Sequence, residues 1–215
     1  MRVEVKICGL TRPEDARAAA ELGARYLGVI FAGGPRTLDL ESARLVLDAG
    51  GADVERVGVF AESNTDTIAA AVRTSKLDVV QLHADPGSDQ VRAIRDATGA
   101  RVWAVVRVSG MLDPAALQTV WESADALVLD SKVKGLLGGS GVPFDWSLVD
   151  GATQKRPGRL VVAGGLTPAN VGDAIETLSP DIVDVSSGVE SSPGLKDHAR
   201  IADFIEAVRR TGVFR

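Results

Sequence analysis

Eight short runs rich in β-branched residues recur along the chain, and each precedes a longer stretch with helical spacing of its apolar residues. Several of these runs are apolar at almost every position, which is typical of parallel strands covered on both faces. Eight strand–helix units in 215 residues predict an α/β fold, a single (β/α)8 TIM barrel with residues 1–215 as one domain. Strands are predicted at 2–7, 26–31, 55–60, 78–82, 101–107, 124–129, 159–163 and 181–186.

The intervening segments carry helix start and stop signals. In TRPEDARAAAELG, Thr11 is the predicted N-cap and Gly23 the C-terminal stop. LTPANVGDAIETL repeats this pattern with Thr167 and Pro168. Further helices are predicted at 39–50, 63–75, 86–99, 112–124 and 197–212, with a short one at 144–152. A doubly wound open sheet is the competing fold, but no G-x-G-x-x-G turn follows the first strand.

Charge and cysteine content exclude several classes of protein. The net charge is −5 and the charges are well mixed, so nucleic-acid and membrane partners are not expected. The single cysteine excludes an internal disulfide and fits a reducing cytoplasm. No run approaches the roughly 18–20 apolar residues of a membrane span, and the N-terminus lacks the apolar core of a signal peptide. We therefore expect a cytoplasmic protein.

In a (β/α)8 barrel, functional groups lie where strands end and the following loops begin. The loops after the seventh and eighth strands often form a phosphate site in this fold. Here they contain AGGL and SSGV, whose small residues let backbone N–H groups approach an anion. The alternative is that these glycines only make tight turns. The predicted phosphate-site residues are Gly164, Gly165, Ser186, Ser187 and Gly188, with Asp184 at the end of the same eighth strand.

Cys8 and Asp130 end the first and sixth strands, which face each other across the mouth of such a barrel. A thiolate and a carboxylic acid placed there can move a proton between two atoms of a small substrate. The alternatives are a structural cysteine, since free Cys is among the most buried residue types, and an aspartate that caps a turn.

Arg36 lies on a Gly-Pro loop, where its guanidinium can hold a carboxylate through two hydrogen bonds, or it is an ordinary surface arginine. His83 ends the fourth strand and either faces the mouth or has a structural role, while His198 is expected in solvent near the start of the last helix. With two histidines and one cysteine at unrelated spacings, no metal site is predicted.

An ordered set of motifs resembles the phosphoribosylanthranilate isomerase family of tryptophan biosynthesis, from about residue 3 to 205. The motifs are KICGLT, FAGGPRTL, VGVF, VQLHAD, LVLD, GGSGVPFDW, VAGGLTPANV and DVSSGVESSPGLKD. The resemblance implies a cofactor-free Amadori rearrangement of N-(5-phosphoribosyl)anthranilate to the corresponding 1-deoxyribulose 5-phosphate. It implies a phosphorylated small-molecule substrate, and we expect a monomer or homodimer.

The resemblance also implies residue roles. Cys8 takes the position of the general base, Asp130 that of the general acid, and Arg36 that of the arginine that holds the anthranilate carboxylate. His83 and Asp184 are expected to contact the substrate.

The chain departs from the family pattern at three places: Gly34 replaces a serine, Ala84 a glycine, and Ser140 a threonine. Two rival functions stay open. Indole-glycerol-phosphate synthase, another phosphosugar barrel, would need a catalytic lysine at an early strand end, and Lys6 precedes Cys8 by two positions. A non-catalytic barrel that binds a phosphorylated ligand would have no use for Cys8 and Asp130.

Overall fold

The computed structural model describes residues 3–61, 64–83, 85–108, 110–131, 145–149, 153 and 156–212. Eight parallel strands form a closed barrel in chain order. They are β1 (Glu4–Ile7), β2 (Tyr26–Ile30), β3 (Glu55–Phe60), β4 (Val79–Leu82), β5 (Arg101–Val108), β6 (Ala126–Ser131), β7 (Arg159–Val162) and β8 (Ile182–Val185). The first and last strands pair in parallel, with Lys6 opposite Asp184. The closure confirms the predicted (β/α)8 barrel and excludes the open sheet.

Helices follow the strands, as the spacing of apolar residues predicts. They are α1 (Pro13–Leu22), α2 (Leu40–Asp48), α3 (Thr65–Ser75), α4 (Ser88–Thr98), α5 (Pro114–Ser123), α6 (Val171–Leu178) and α7 (His198–Arg210). The predicted short helix at 144–152 coincides with a 3₁₀ turn at Trp146–Leu148, while residues 144 and 150–152 lie outside the described part. No helix in the described ranges combines the length and the apolar character that a membrane crossing requires.

Two predicted helix starts are wrong. Helix α1 begins at Pro13, so Arg12 is the N-cap residue, and the Thr11 hydroxyl instead donates a hydrogen bond of 2.5 Å to the carbonyl of Gly194. Helix α6 begins only at Val171. The backbone N–H of Thr167 donates to the side chain of Asn170, which keeps this segment in a turn before the helix. In both places a polar side chain is used in a tertiary or turn contact rather than as a cap.

Alternation along β1 shows how the barrel separates its two cores. Val5 and Ile7 point outward and pack with the helices. Lys6, between them, is fully buried on the inner side, and Cys8 follows two positions later on the same side. A separate apolar cluster that includes Tyr26 fills the lower interior of the barrel. The polar residues of the first strand therefore point toward the barrel axis.

A hairpin that the sequence analysis did not predict follows β8. Its strands are β9 (Glu190–Ser192) and β10 (Leu195–Lys196), paired antiparallel. Three groups fasten it to the start of α1. They are the Thr11 hydroxyl, the Arg12 guanidinium, which donates to the carbonyl of Lys196 at 3.5 Å, and the Asp15 carboxylate, which accepts from the backbone N–H of Lys196 at 3.1 Å. The hairpin is thereby held against one side of the barrel mouth.

Candidate active site

A cavity of about 520 Å³ opens at the carboxyl ends of the strands. Nine of the ten predicted site residues line it: Cys8, Arg36, His83, Asp130, Gly164, Gly165, Asp184, Ser186 and Ser187. Gly188, the tenth, lies behind this lining, where its Cα is packed against the carbonyl of Leu166. The barrel therefore brings residues from six strand ends or loops to one cavity.

The Cys8 side chain lies just beyond the end of β1, and its Sγ faces Gly28 of β2. A Cβ atom at Gly28 would approach Sγ to 3.0 Å, so the missing side chain at Gly28 makes room for the thiol. Cys8 is 7% exposed, and this burial raises the pKa of its thiol. Lys6 and Lys196 act in the opposite direction. A resting thiol, rather than a thiolate, is the result.

Below Cys8, Lys6 donates a hydrogen bond of 2.6 Å from Nζ to Oδ2 of Asp184. Both side chains are buried, and the pairing follows from the register of β1 with β8. The other carboxylate oxygen of Asp184 has no hydrogen-bond partner among the described residues, although it is buried. An orphaned buried acceptor at a cavity wall is a position where a ligand hydroxyl group can donate.

Asp130 belongs to β6 itself, because that strand extends to Ser131, two residues beyond its predicted end. Its Oδ1 accepts from the backbone N–H of Ser131 at 2.7 Å. Burial raises the pKa of Asp130 from 3.8 to about 6, and the negative charge of Asp184 acts in the same direction. Near neutral pH this carboxyl group is within reach of both protonation states, as a general acid requires.

His83 lies beside Asp130, with 3.5 Å between Nε2 and Oδ2 of the carboxylate. This separation is too long for a hydrogen bond of ordinary strength. Burial and the charges of Arg107 and Lys6 lower the pKa of His83, so the imidazole is neutral at pH 7. Within the described residues, Nε2 of His83 and Oε1 of Gln81 are buried without a hydrogen-bond partner. Both residues line the cavity and offer polar atoms to a ligand.

The glycine loop after β7 is in direct contact with β6. Gly164 and Gly165 have φ values of 78° and 72°, which non-glycine residues rarely adopt. A Cβ atom on Gly164 would lie 2.4 Å from the backbone nitrogen of Ser131 and 2.6 Å from Oδ1 of Asp130. The loop therefore needs glycine at 164 both for its conformation and for its approach to Asp130.

The loops after β7 and β8 also contact each other. A Cβ atom on Gly188 would lie 2.0 Å from the carbonyl oxygen of Leu166. Ser186 and Ser187 line the cavity next to the glycine pair. Small residues on both loops leave backbone and hydroxyl groups open to a ligand, which is the arrangement that phosphate sites of this fold use.

Arg36 is not an ordinary surface arginine. Its Nε and Nη2 donate to the two carboxylate oxygens of Glu190 at 2.8 and 2.7 Å, and the guanidinium lines the cavity. Gly9 makes room for this side chain, because a Cβ atom there would lie 2.7 Å from Cδ of Arg36.

The predicted site residues did not include Gln81, Glu190 and Lys196. A polar residue in the buried run DVVQL was a usable signal for Gln81. No spacing rule linked Glu190 to Arg36, which lies 154 residues earlier. His198 is half-exposed, as expected, and also contacts Oδ1 of Asp15 at 2.8 Å. Ala84 and the GGSG stretch at 138–141 lie outside the described residues.

Together, the closed barrel, the paired small-residue loops and the acid–base groups at its mouth define a phosphosugar-type (β/α)8-barrel enzyme. The profile described as N-(5'-phosphoribosyl)anthranilate (PRA) isomerase matches residues 5–207. The chain belongs to the phosphoribosylanthranilate isomerase family. It is 41% identical over 213 residues to the N-(5'-phosphoribosyl)anthranilate isomerase of Paramagnetospirillum magneticum, covering 97% of this chain and 98% of the relative.

Solved structures of phosphoribosylanthranilate isomerases have the same fold as this chain. A structure of monomers generated from the dimeric phosphoribosylanthranilate isomerase of Thermotoga maritima has a TM-score of 0.83 and 37% identity. A second phosphoribosylanthranilate isomerase, in complex with reduced 1-(o-carboxyphenylamino)-1-deoxyribulose 5-phosphate, has a TM-score of 0.82 and 34% identity. Each comparison covers 97% of this chain and 99% of the other.

Proposed function

We propose that this isomerase converts N-(5-phosphoribosyl)anthranilate to 1-(2-carboxyphenylamino)-1-deoxyribulose 5-phosphate, a step of tryptophan biosynthesis, with Cys8 as general base and Asp130 as general acid. The observation that carries the proposal is that both residues line one cavity together with the glycine–serine loops. A relative of this family binds the reduced form of the same product.

The chemistry needs one acid and one base. Protonation of the ring oxygen by Asp130 breaks the bond between this oxygen and C1, which opens the furanose to a protonated imine. Cys8 then removes the proton from C2, and the electron pair moves to give an enolamine. Tautomerisation of the enolamine yields the ketone at C2, so C2 is oxidised and C1 reduced within one molecule. No external oxidant or reductant takes part.

In the free site, moving one proton from Cys8 to Asp130 gives the charge state that these reaction steps need. With the pKa of Asp130 near 6 and that of Cys8 raised, the pair holds one proton near pH 7, mainly on sulfur. The reaction needs that proton on Asp130 and the negative charge on Cys8. The two forms have the same total charge, so the reactive form is a minor tautomer of the dominant state.

The remaining residues are proposed to bind the substrate. Gly164, Gly165 and the 186–188 loop hold the phosphate, Arg36 the anthranilate carboxylate, and His83 and Asp184 the sugar hydroxyl groups. The free oxygen of Asp184 and Nε2 of His83 support these assignments, since each is buried at the cavity without a partner in the described chain.

The rival reading as indole-glycerol-phosphate synthase needs a lysine at the mouth. Lys6 is fully buried below Cys8 and paired with Asp184, and it does not line the cavity. Its ammonium group is therefore not placed to act as a catalytic group at the mouth. We further propose that residues 1–215 form one domain, and that the enzyme works in the cytoplasm as a monomer or homodimer.

The decisive test is an assay with phosphoribosylanthranilate generated in situ, followed by the loss of its fluorescence. We expect turnover by the wild type and almost none by Cys8→Ser, in which the hydroxyl group is a much weaker acid than the thiol. Glu55→Gln is the matched control, because Glu55 starts β3 at the opposite end of the barrel. Binding of the substrate without turnover by the wild type would identify a non-catalytic binding barrel instead.

A further inference from the structure

The hairpin after β8 carries two buried charged residues, Glu190 and Lys196, that the proposed reaction does not use. The Glu190 side chain is 4% exposed and that of Lys196 is fully buried. Nζ of Lys196 donates to Oε1 of Glu190 at 2.8 Å, and the same oxygen accepts from Nε of Arg36. Buried ionised groups are costly unless they are paired, so this buried pair, held against Arg36 at the cavity wall, calls for an explanation.

The contacts of Glu190 leave one side of Arg36 for a ligand. A guanidinium has five N–H donors, and Glu190 takes one from Nε and one from Nη2. The remaining three belong to Nη1 and Nη2, which together form a second edge suited to a carboxylate. Because Arg36 donates to both carboxylate oxygens of Glu190, a residue of the hairpin, these contacts fix the plane of the guanidinium.

Lys196 links the ion pair between Arg36 and Glu190 to the loop after β8. Besides Glu190, its Nζ contacts the carbonyl oxygen of Ser186 at 3.1 Å and the hydroxyl of Ser186 at 3.5 Å. Three acceptors match the three N–H donors of an ammonium group. Burial lowers the pKa of Lys196, and the negative charge of Glu190 acts in the opposite direction. When Lys196 is protonated, it and Arg36 carry two positive charges against the single negative charge of Glu190.

We propose that Glu190, supported by Lys196, is a positioning residue that orients Arg36 and thereby sets the selectivity of the site for a substrate bearing a carboxylate on its aromatic ring. The proposal rests on the function proposed above. Glu190 itself contacts no substrate atom in this scheme. Glu190 fixes the orientation of the guanidinium and therefore of its free Nη1–Nη2 edge. Lys196 contacts both Glu190 and Ser186 and so holds this arrangement against the loop after β8.

The test compares two ligands that differ only in the carboxylate. They are the products of reductive amination of ribose 5-phosphate with anthranilate and with aniline, and calorimetry gives the dissociation constant of each. We expect wild type to prefer the carboxylated ligand strongly. Glu190→Gln should weaken this preference about ten- to a hundredfold, the range for losing a hydrogen bond to a charged group, while the affinity for the aniline compound changes little.

Three further variants make the result specific. Glu190→Asp retains the charge and should restore part of the preference, and it replaces Glu190→Gln if the latter does not fold. In an Arg36→Lys background, Glu190→Gln should have no further effect on the preference, because the group it positions is gone. Glu55→Gln is the control, since Glu55 also pairs with two arginines, Arg25 and Arg101, far from the mouth.

Two outcomes would overturn the proposal. Equal weakening of both ligands by Glu190→Gln would show that Glu190 only maintains the site in general. Tighter binding of the carboxylated ligand would show that Glu190 competes for Arg36 instead of orienting it. Failure of the proposed function is distinguishable from both, because it would appear as absent turnover in the wild type while these binding ratios are still measurable.

Discussion

Lys6 and Asp184 form an ion pair of 2.6 Å that closes the inner wall of the barrel directly beneath Cys8. The pair acts on both proposed catalytic groups. At Cys8 the charge of Lys6, which lowers the thiol pKa, outweighs that of Asp184, which raises it. At Asp130 the charge of Asp184, which raises the pKa, outweighs that of Lys6, which lowers it. One buried pair therefore favours the ionised base and the protonated acid at the same time, which is the combination that the reaction needs.

Removing one member of this pair should be strongly destabilising. Lys6→Met leaves the carboxylate of Asp184 buried without its cation, and we expect a loss of about 3–5 kcal/mol in the free energy of unfolding. Urea titration measures this loss. The double variant Lys6→Met/Asp184→Leu should regain most of the stability, because no charge is then left unpaired. A Lys6→Met variant as stable as the wild type would contradict this prediction and would mean that water already solvates the Asp184 carboxylate.

The pH dependence of kcat/KM reports the proton shared by Cys8 and Asp130. We expect activity to rise through about pH 6, where the doubly protonated pair loses one proton to solvent, and to fall only when the pair loses its remaining proton at the raised pKa of Cys8. If Cys8 is not the base, activity should instead fall above pH 6. Binding of the reduced product over the same pH range separates the titration of the ligand phosphate, whose second pKa is also about 6.

Cys8→Ala and Asp130→Ala should each lower turnover by roughly 10²–10⁴-fold, the usual effect of losing a positioned acid or base. We expect Cys8→Ala to cost only about 1 kcal/mol of stability, because a single sulfur atom next to Gly28 is lost. Turnover and thermal unfolding are measured on the same preparations. A Cys8→Ala protein with normal turnover and a lowered melting temperature would identify the thiol as a packing residue.

Asp130→Asn should stabilise the fold above pH 6. The folded-state pKa of about 6 lies above the usual value of 3.8, so the folded protein binds the extra proton between these values and loses stability as the pH rises through this window. At about 1.4 kcal/mol per pKa unit the full penalty is about 3 kcal/mol, which asparagine avoids. The melting temperature of the variant should exceed that of wild type at pH 8 and match it near pH 4. An equal difference at both pH values would contradict this origin.

Gly164→Ala should impair catalysis through Asp130. The added Cβ atom would lie 2.6 Å from Oδ1 of Asp130, so the carboxylate or the strand must shift, and we expect kcat to fall at least tenfold. Gly51→Ala is the matched control, because Gly51 has a similar φ of 83° and open space around its Cα. Similar losses of stability but unequal losses of kcat would support this reading, and unchanged kcat in Gly164→Ala would contradict it.

The local pattern of apolar residues was sufficient to predict the (β/α)8 barrel. Strand β3 lies where its short apolar run predicts it, since burying both faces of a parallel strand leaves a strong signal in a short run. Several helix ends also fall close to the positions that the helical spacing predicts. The same pattern placed Cys8 and Asp130 at strand ends. Resemblance to a family added chemical roles that periodicity alone left open.

Folding decided which of these residues meet and in what protonation state. The pairing of Lys6 with Asp184 depends on the register of β1 against β8, which closes the barrel over 178 residues of sequence. The pKa of Asp130 depends on burial and on a neighbouring charge, neither of which a linear sequence displays. The contact of Arg36 with Glu190 likewise joins two loops. Short-range patterns report local structure, whereas charges, desolvation and long-range contacts exist only once the ring of strands is closed.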